Sequence, residues 1–247
     1  MENKQPDQKL PEIIHESWYP YLQPLFNDYK MHKINHDVLP KCRFYPDASQ
    51  IFRVFSMPLS DIKIVILGQD PYYNGTANGL AFAVNKEVGV PKSLKIIRDE
   101  IINSRVERDT YVNIDDSRWK TLFHWRGQGI FLLNTALTVG VGESGSHTGI
   151  WQWFTRDVIK IISTEVKPVW LLWGAKAKSF KDYIYQPKIL FKDTTGPEQV
   201  TNTNVILEAD HPAAETYQDS KAKFSGCNHF NLCNKVLKAR NQTVINW

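Results

Sequence analysis

Cysteine is scarce: Cys42, Cys227 and Cys233 are the only three in 247 residues. An odd set without metal-ligand spacing argues against a disulfide scaffold or a four-cysteine iron–sulfur site, and it suits a reducing compartment, cytoplasm or nucleus. No apolar run approaches the ~18 residues of a membrane span, so no membrane partner is expected. The chain also lacks repeats, low-complexity tracts and any Pro- or Gly-rich linker that would divide it. Its first residues are polar and of mixed charge, unlike a secretory signal or an Arg-rich transit peptide. Residues 1–10 are expected to fray. Charge of one sign is in small excess, with 30 Lys and Arg against 26 Asp and Glu. This net +4 permits a polyanionic partner without requiring one. Length and a hydrophobic content of 42% fit one soluble α/β domain spanning 1–247.

What the chain does have is four apolar runs, each ending in a polar signature. They are Lys63 to Gly68 followed by Gln69-Asp70-Pro71-Tyr72, Gly129 to Asn134, Val169 to Gly174, and Val205 to Ala209 followed by Asp210-His211-Pro212. Short apolar runs bounded by turn residues read as strands buried on both faces. Around them the pattern predicts helices: a stripe from Ile13 to Phe26, a short helix over 50–55, one opening at Pro91-Lys92-Ser93 with Ser93 as N-cap, then 116–128, 150–162, 174–185 and 228–240. Residues 79–84 read as an extended segment lining a pocket, and 187–204 contain a candidate edge strand. Strand–helix alternation implies a three-layer α/β/α fold around a mostly parallel, four-stranded sheet with right-handed crossovers.

Ligands of an open parallel sheet sit beyond the carboxyl ends of its strands. Asp70, Asn134 and His211 would therefore meet on one rim. Asp70 is either a turn aspartate or a carboxylate held to orient water; Pro71 narrows the freedom of the residue before it. Asn134 either satisfies loop backbone or reads the edge of a flat heterocycle, for which its donor and acceptor are suited. His211 is either packed or catalytic, and Phe82 and Tyr72 either core or stacking surfaces.

Taken in order, these motifs resemble a family 1 uracil-DNA glycosylase, from about Tyr45-Pro46 to Ile245-Asn-Trp247. Gly68-Gln-Asp-Pro-Tyr72 resembles the water-activating loop, Pro91-Lys-Ser-Leu94 the loop that compresses the DNA backbone, and Leu132-Leu-Asn134 the uracil-reading strand end. Gly142 to His147 is similar to the loop before the Trp151 helix, Leu171-Leu-Trp-Gly174 to a structural strand, and His211-Pro212 with Gly226-Cys-Asn-His-Phe230 to the leucine-loop region. The resemblance implies a monomer that flips uracil out of DNA, single- or double-stranded, and hydrolyses its glycosidic bond. A protein inhibitor or replication partner is left open. Asp70 and His211 would be catalytic; Gln69, Tyr72, Phe82 and Asn134 would hold uracil. Ser93, Ser144, Ser146, His147, Ala213, Ala214 and Glu215 would lie against DNA. No metal, cofactor or covalent intermediate is implied.

Three departures stand out. Tyr73 occupies a position that is usually histidine. Lys92 interrupts a usual pair of prolines before Ser93. The usual His-Pro-Ser-Pro-Leu-Ser reads His211-Pro-Ala-Ala-Glu-Thr216, which replaces a phosphate-binding serine by Ala213 and puts Glu215 at or near the wedge leucine. Tyr217 and Phe224 are candidate replacement wedges, and single strands are expected to be the easier substrate. The rival readings are a non-catalytic binding member of the fold and a glycosylase of relaxed base choice.

Overall fold

The computed structural model describes residues 8–85, 87–104, 116–190, 200, 202–214 and 223–247, with backbone only at 116–118. Seven strands are present among them: β1 (Phe44–Tyr45), β2 (Ile64–Gly68), β3 (Ile130–Asn134), β4 (Val139–Gly140), β5 (Val169–Trp173), β6 (Lys188–Leu190) and β7 (Val205–Ala209). The helices are α1 (Tyr19–Phe26), α2 (Tyr29–Lys33), α3 (Lys92–Asn103), α4 (Asp116–Thr121), α5 (Phe123–Arg126), α6 (Thr148–Glu165), α7 (Ala175–Lys178) and α8 (His229–Ala239). The order of the main sheet is β3-β2-β5-β7-β6 and every pairing in it is parallel. Helices flank it in a three-layer α/β/α arrangement, with β1 and β4 as a separate antiparallel pair.

The four long strands are the four apolar runs, and all but Glu208 in them are buried. The sheet nonetheless has five strands, not four. The additional β6 is a three-residue edge strand, half-exposed at Lys188 and Ile189, too short and too mixed to show as an apolar run. Register fixes which side chains share a face, because successive residues alternate. Val65 lies opposite Phe131 and Trp170, whereas Gly68 lies opposite Asn134. Two aromatic clusters result, one on each face. Phe131 stacks with Trp18 and meets Phe55, which reaches Phe154 and Phe52. On the other face Trp173 meets Phe224 and Phe230, which reaches Trp125 and Trp247.

Several expected elements are altered by packing. The single helix over 116–128 is broken at Leu122, a fully buried residue in left-handed conformation (φ 53°). The break turns Trp119 and Trp125 edge-on to each other, with centroids 5.3 Å apart, which a continuous helix would not allow at a spacing of six. The short helix over 50–55 is replaced by two 3-10 turns, Ala48–Gln50 and Arg53–Ser56, and 174–185 is α7 followed by a 3-10 turn. Ser93 is not a cap: Pro91 occupies that position (φ −61°) and Ser93 is one residue inside α3. Of the N-terminal residues expected to fray, 8–10 are held, with Leu10 in the core and Gln8 bonded to Asn27 and Gln23. No helix among the described residues is long and apolar enough to cross a membrane.

Buried indole N–H groups need acceptors. Trp18 donates to Met57 O, Trp170 to Asn204, Trp247 to Phe230 O, and Trp173 to Nδ1 of His229 at 3.0 Å. That last bond requires an unprotonated Nδ1. Burial, with Lys178 nearby, lowers the His229 pKa from 6.5 to about 4. In the unfolded chain the imidazole takes its proton near 6.5, so below that pH the unfolded state binds one proton more and stability falls with pH. Urea unfolding should show this group costing about 3 kcal/mol by pH 4 relative to pH 7. His229→Gln should flatten the acid side of the stability curve by the same amount.

Candidate active site

The carboxyl ends of β2, β3 and β7 carry the polar residues, and the ladder continues past the strands. Thr135 N–H donates to Gly68 O and Ala136 N–H to Gln69 O, both at 2.9 Å, while the Thr135 hydroxyl donates to Gln69 O at 2.7 Å. Thr155 of α6 donates to Thr135 O. These bonds leave the backbone at Gln69-Asp70 little freedom. The Asp70 carboxylate is met from the opposite wall by loop 140–147: Oδ2 accepts the Gly145 N–H at 2.5 Å and the Ser144 hydroxyl at 3.2 Å.

Asn134 stands beside Asp70 at the end of β3. Gly68 makes room for it, since a Cβ there would lie 2.3 Å from Asn134 Oδ1 and 2.9 Å from Ala81 Cβ. The side chain is 6% exposed, and its amide has no hydrogen-bond partner among the described residues. That amide lines the cavity described below, where it is open to a ligand.

Phe82 is brought in by a turn in which Asn78 accepts from Leu80 N–H and donates to Val84 O and Thr121 O. The main chain is pinned to β3 by Ala81 N–H to Leu132 O at 3.0 Å. Residues 79–84 are thus a tight turn, not an extended segment, and Phe82 takes a positive φ of 63°. A phenylalanine in that region is strained, by about 1–3 kcal/mol. Its ring is parallel to the imidazole of His211, with centroids 5.8 Å apart, and edge-on to Trp173.

His211 follows β7. Gly174 (φ 87°) passes close beneath it, where a Cβ would lie 2.9 Å from His211 Cβ. Ala213 N–H donates to Nδ1 at 3.1 Å, which assigns the lone pair to Nδ1 and the proton of the neutral ring to Nε2. Burial pushes the His211 imidazole below its ordinary 6.5. It also pushes the Tyr72 phenol up to about 12. Both groups are neutral at physiological pH.

These residues line one cavity of about 230 Å³, together with Gln69, Pro71, Tyr73, Leu80, Ser93 and Ser144. That is below the roughly 300–1,000 Å³ of sites for drug-sized ligands and suits a single flat ring. A fixed carboxylate, an open amide edge, a phenyl face and a neutral N–H donor could together bind a polar heterocycle and stabilise negative charge on it. Among the described residues no three His, Cys, Asp or Glu side chains are grouped to hold a metal ion.

The cavity therefore gathers Asp70, His211, Gln69, Tyr72, Phe82, Asn134, Ser93 and Ser144. Ser146 and His147 do not line it. Ser146 accepts from Gly140 N–H. His147 is buried, with Nδ1 against the Thr138 hydroxyl at 2.9 Å and Nε2 3.8 Å from Cys42 Sγ. Trp151 donates to that same Thr138 oxygen, so the ring is built into the loop. Ala213 and Ala214 form a 3-10 turn packed against α3, outside the lining. Phe224 is fully buried with its ring centroid 4.9 Å from that of Trp173, which rules it out as a wedge. Glu215 and Tyr217 lie outside the described residues. Asn78, Thr135 and the Gly145 amide were not singled out by sequence reasoning. Only Asn78-Gly79, a turn pair, offered a signal.

A family model described as the uracil DNA glycosylase superfamily matches residues 56–238. A uracil-DNA glycosylase of Borreliella burgdorferi (strain ZS7) is 38% identical over 243 residues, which are 95% of this chain and 98% of that protein. One from Alcelaphine herpesvirus 1 (strain C500) is 34% identical over 249 residues, 95% of this chain and 89% of the viral one. The crystal structure of mimivirus uracil-DNA glycosylase shares the fold, with a TM-score of 0.77 over 98% of this chain and 90% of that one at 24% identity. A variant of the mimivirus protein has been solved in complex with UGI.

Because Gly68 has no room for a side chain, Gly68→Ala should displace Asn134 and lower the unfolding free energy by about 1–3 kcal/mol, the usual cost of overpacking. Denaturant melts of the two proteins measure it.

Proposed function

The chain belongs to the uracil DNA glycosylase superfamily, and from that premise we propose that it excises uracil from DNA by hydrolysing the N-glycosidic bond, leaving an abasic site for base-excision repair. The supporting observation is the unpartnered, buried Asn134 amide in the same small cavity as Asp70 and His211. Uracil flipped out of the strand lies against the Phe82 ring. Asn134 accepts from its N3–H and donates to O4. Cytosine presents the reverse pattern, an acceptor at N3 and an amino group at C4, and would leave the buried amide mismatched. Tyr72, neutral and half-buried, crowds C5 and excludes the methyl group of thymine. Asp70 aligns the attacking water and offsets positive charge on the deoxyribose. His211, its proton on Nε2, donates to O2 as charge gathers on the departing base. The uracil anion is a stabilised leaving group, so one carboxylate can serve where other glycosidases use two.

We further propose that the chain works as a single-domain monomer. Ser93, beside the cavity at the start of α3, is the best placed of the expected phosphate contacts. The inward bonding of His147 supports a structural role for it instead. A wedge of leucine type is absent from the sequence, and the acid Glu215 would repel phosphates. Single strands, which need less unstacking, are therefore the preferred substrate.

Single-turnover release of uracil from single-stranded and duplex oligonucleotides tests this. Wild-type protein should act fastest on the single strand and exceed Asp70→Asn by at least about a hundredfold, the low end for general acid–base groups. Release no faster than the Asp70→Asn background would leave only a binding role. Tyr72→Ala should gain measurable release of thymine. If the wild-type protein already removed thymine and this substitution changed nothing, the enzyme would be one of relaxed base choice.

A further inference from the structure

The two oxygens of the Asp70 carboxylate are not equivalent. Oδ2 accepts both Gly145 N–H (2.5 Å) and Ser144 Oγ–H (3.2 Å), whereas Oδ1 has only a 3.5 Å approach from the same hydroxyl. One oxygen is anchored to loop 140–147 and the other is left to the cavity. A serine hydroxyl rotates freely and can donate or accept. Here Gln69 Nε2 donates to Ser144 Oγ at 3.5 Å, which occupies an oxygen lone pair and leaves the hydroxyl proton for Asp70. Gln69 and Ser144 are 75 residues apart, yet both line the cavity. The position after Tyr72, where the family resemblance leads one to expect histidine, holds Tyr73. It is 46% exposed and makes no hydrogen bond to Asp70 among the described residues.

We propose that Ser144, oriented by Gln69, is a positioning residue for the hydrolysis, anchoring Oδ2 of Asp70 so that Oδ1 presents the attacking water. The inference rests on the function read above and goes beyond it. It moves Ser144 from the DNA backbone, where its motif position alone would put it, to the carboxylate. The support that a neighbouring histidine would give comes instead from the opposite wall. A carboxylate oxygen held by charge-assisted donors keeps its direction.

The test compares wild type, Ser144→Ala, Ser144→Thr and Asp70→Asn in single-turnover uracil release from a single-stranded oligonucleotide. Rates are taken over a range of protein concentrations, so that maximal rate and half-saturation are read separately. Ser144→Ala should lower the maximal rate about tenfold, the kinetic worth of one hydrogen bond to a charged group. Half-saturation should stay within about twofold, since no ground-state contact with DNA is lost. Ser144→Thr, which keeps the hydroxyl, should recover most of the rate. A Ser144→Ala protein with the wild-type maximal rate overturns the proposal, and weakened, salt-sensitive DNA binding in that case would make Ser144 a phosphate contact. A threonine variant as slow as alanine also overturns it. Wild-type protein no faster than Asp70→Asn would instead remove the functional reading beneath it.

Discussion

Gly68 and Asn134 are paired across two parallel strands, and everything at the site is placed relative to that pair. Parallel strands carry evenly spaced bonds that fix register along their whole length. Here the ladder runs on through Thr135 and Ala136 into the Gln69-Asp70 turn. A one-residue slip would swap the faces of β3 and turn Asn134 away from the cavity. Register is protected by the aromatic clusters on both sides of the sheet, where Phe131 packs against Trp18 and Phe55, and Trp173 against Phe224 and Phe230. Core packing and site geometry are thus one constraint seen from two ends of the same strands.

The cavity's polarity follows from desolvation. Burial keeps Tyr72 and His211 uncharged, and the Ala213 amide chooses which nitrogen of His211 carries the proton. Asp70 stays near solvent and is fed donors from loop 140–147. A single carboxylate surrounded by neutral donors and an open amide can oppose positive charge on a sugar while accepting negative charge on a base, with little reorganisation of its surroundings. Strain at Phe82 is a local cost which the buried core offsets.

Much of this was legible in the chain. The four long strands show as uninterrupted apolar runs, and the parallel arrangement then makes their polar ends converge, so Asp70, Asn134 and His211 could be grouped before any coordinates. What escaped was decided by tertiary contacts. β6 is too short to have a period, and the left-handed residue Leu122, which lets two indoles meet, interrupts a stretch whose pattern reads as one helix. Position in a motif suggested that Ser144 and His147 face DNA, but hydroxyl and imidazole directions depend on partners far along the chain: Asp70 for one, Thr138 and Cys42 for the other. Backbone donors such as Gly145 N–H are invisible to any reading of side chains. Phe224 was a wedge candidate only by size and location, whereas its neighbours in space are Trp173 and the core.

The missing side chain at Gly68 has a consequence for how this pocket can be reshaped. Gly68 itself has no atoms to trim, and the side chains pressed against it are Asn134, the one amide in the lining apart from Gln69, and Ala81, already a single methyl group. Tyr72 and Phe82 line the same cavity and carry whole rings. Remodelling for a bulkier base would therefore begin at those rings, because shortening Asn134 would remove the group that reads the base.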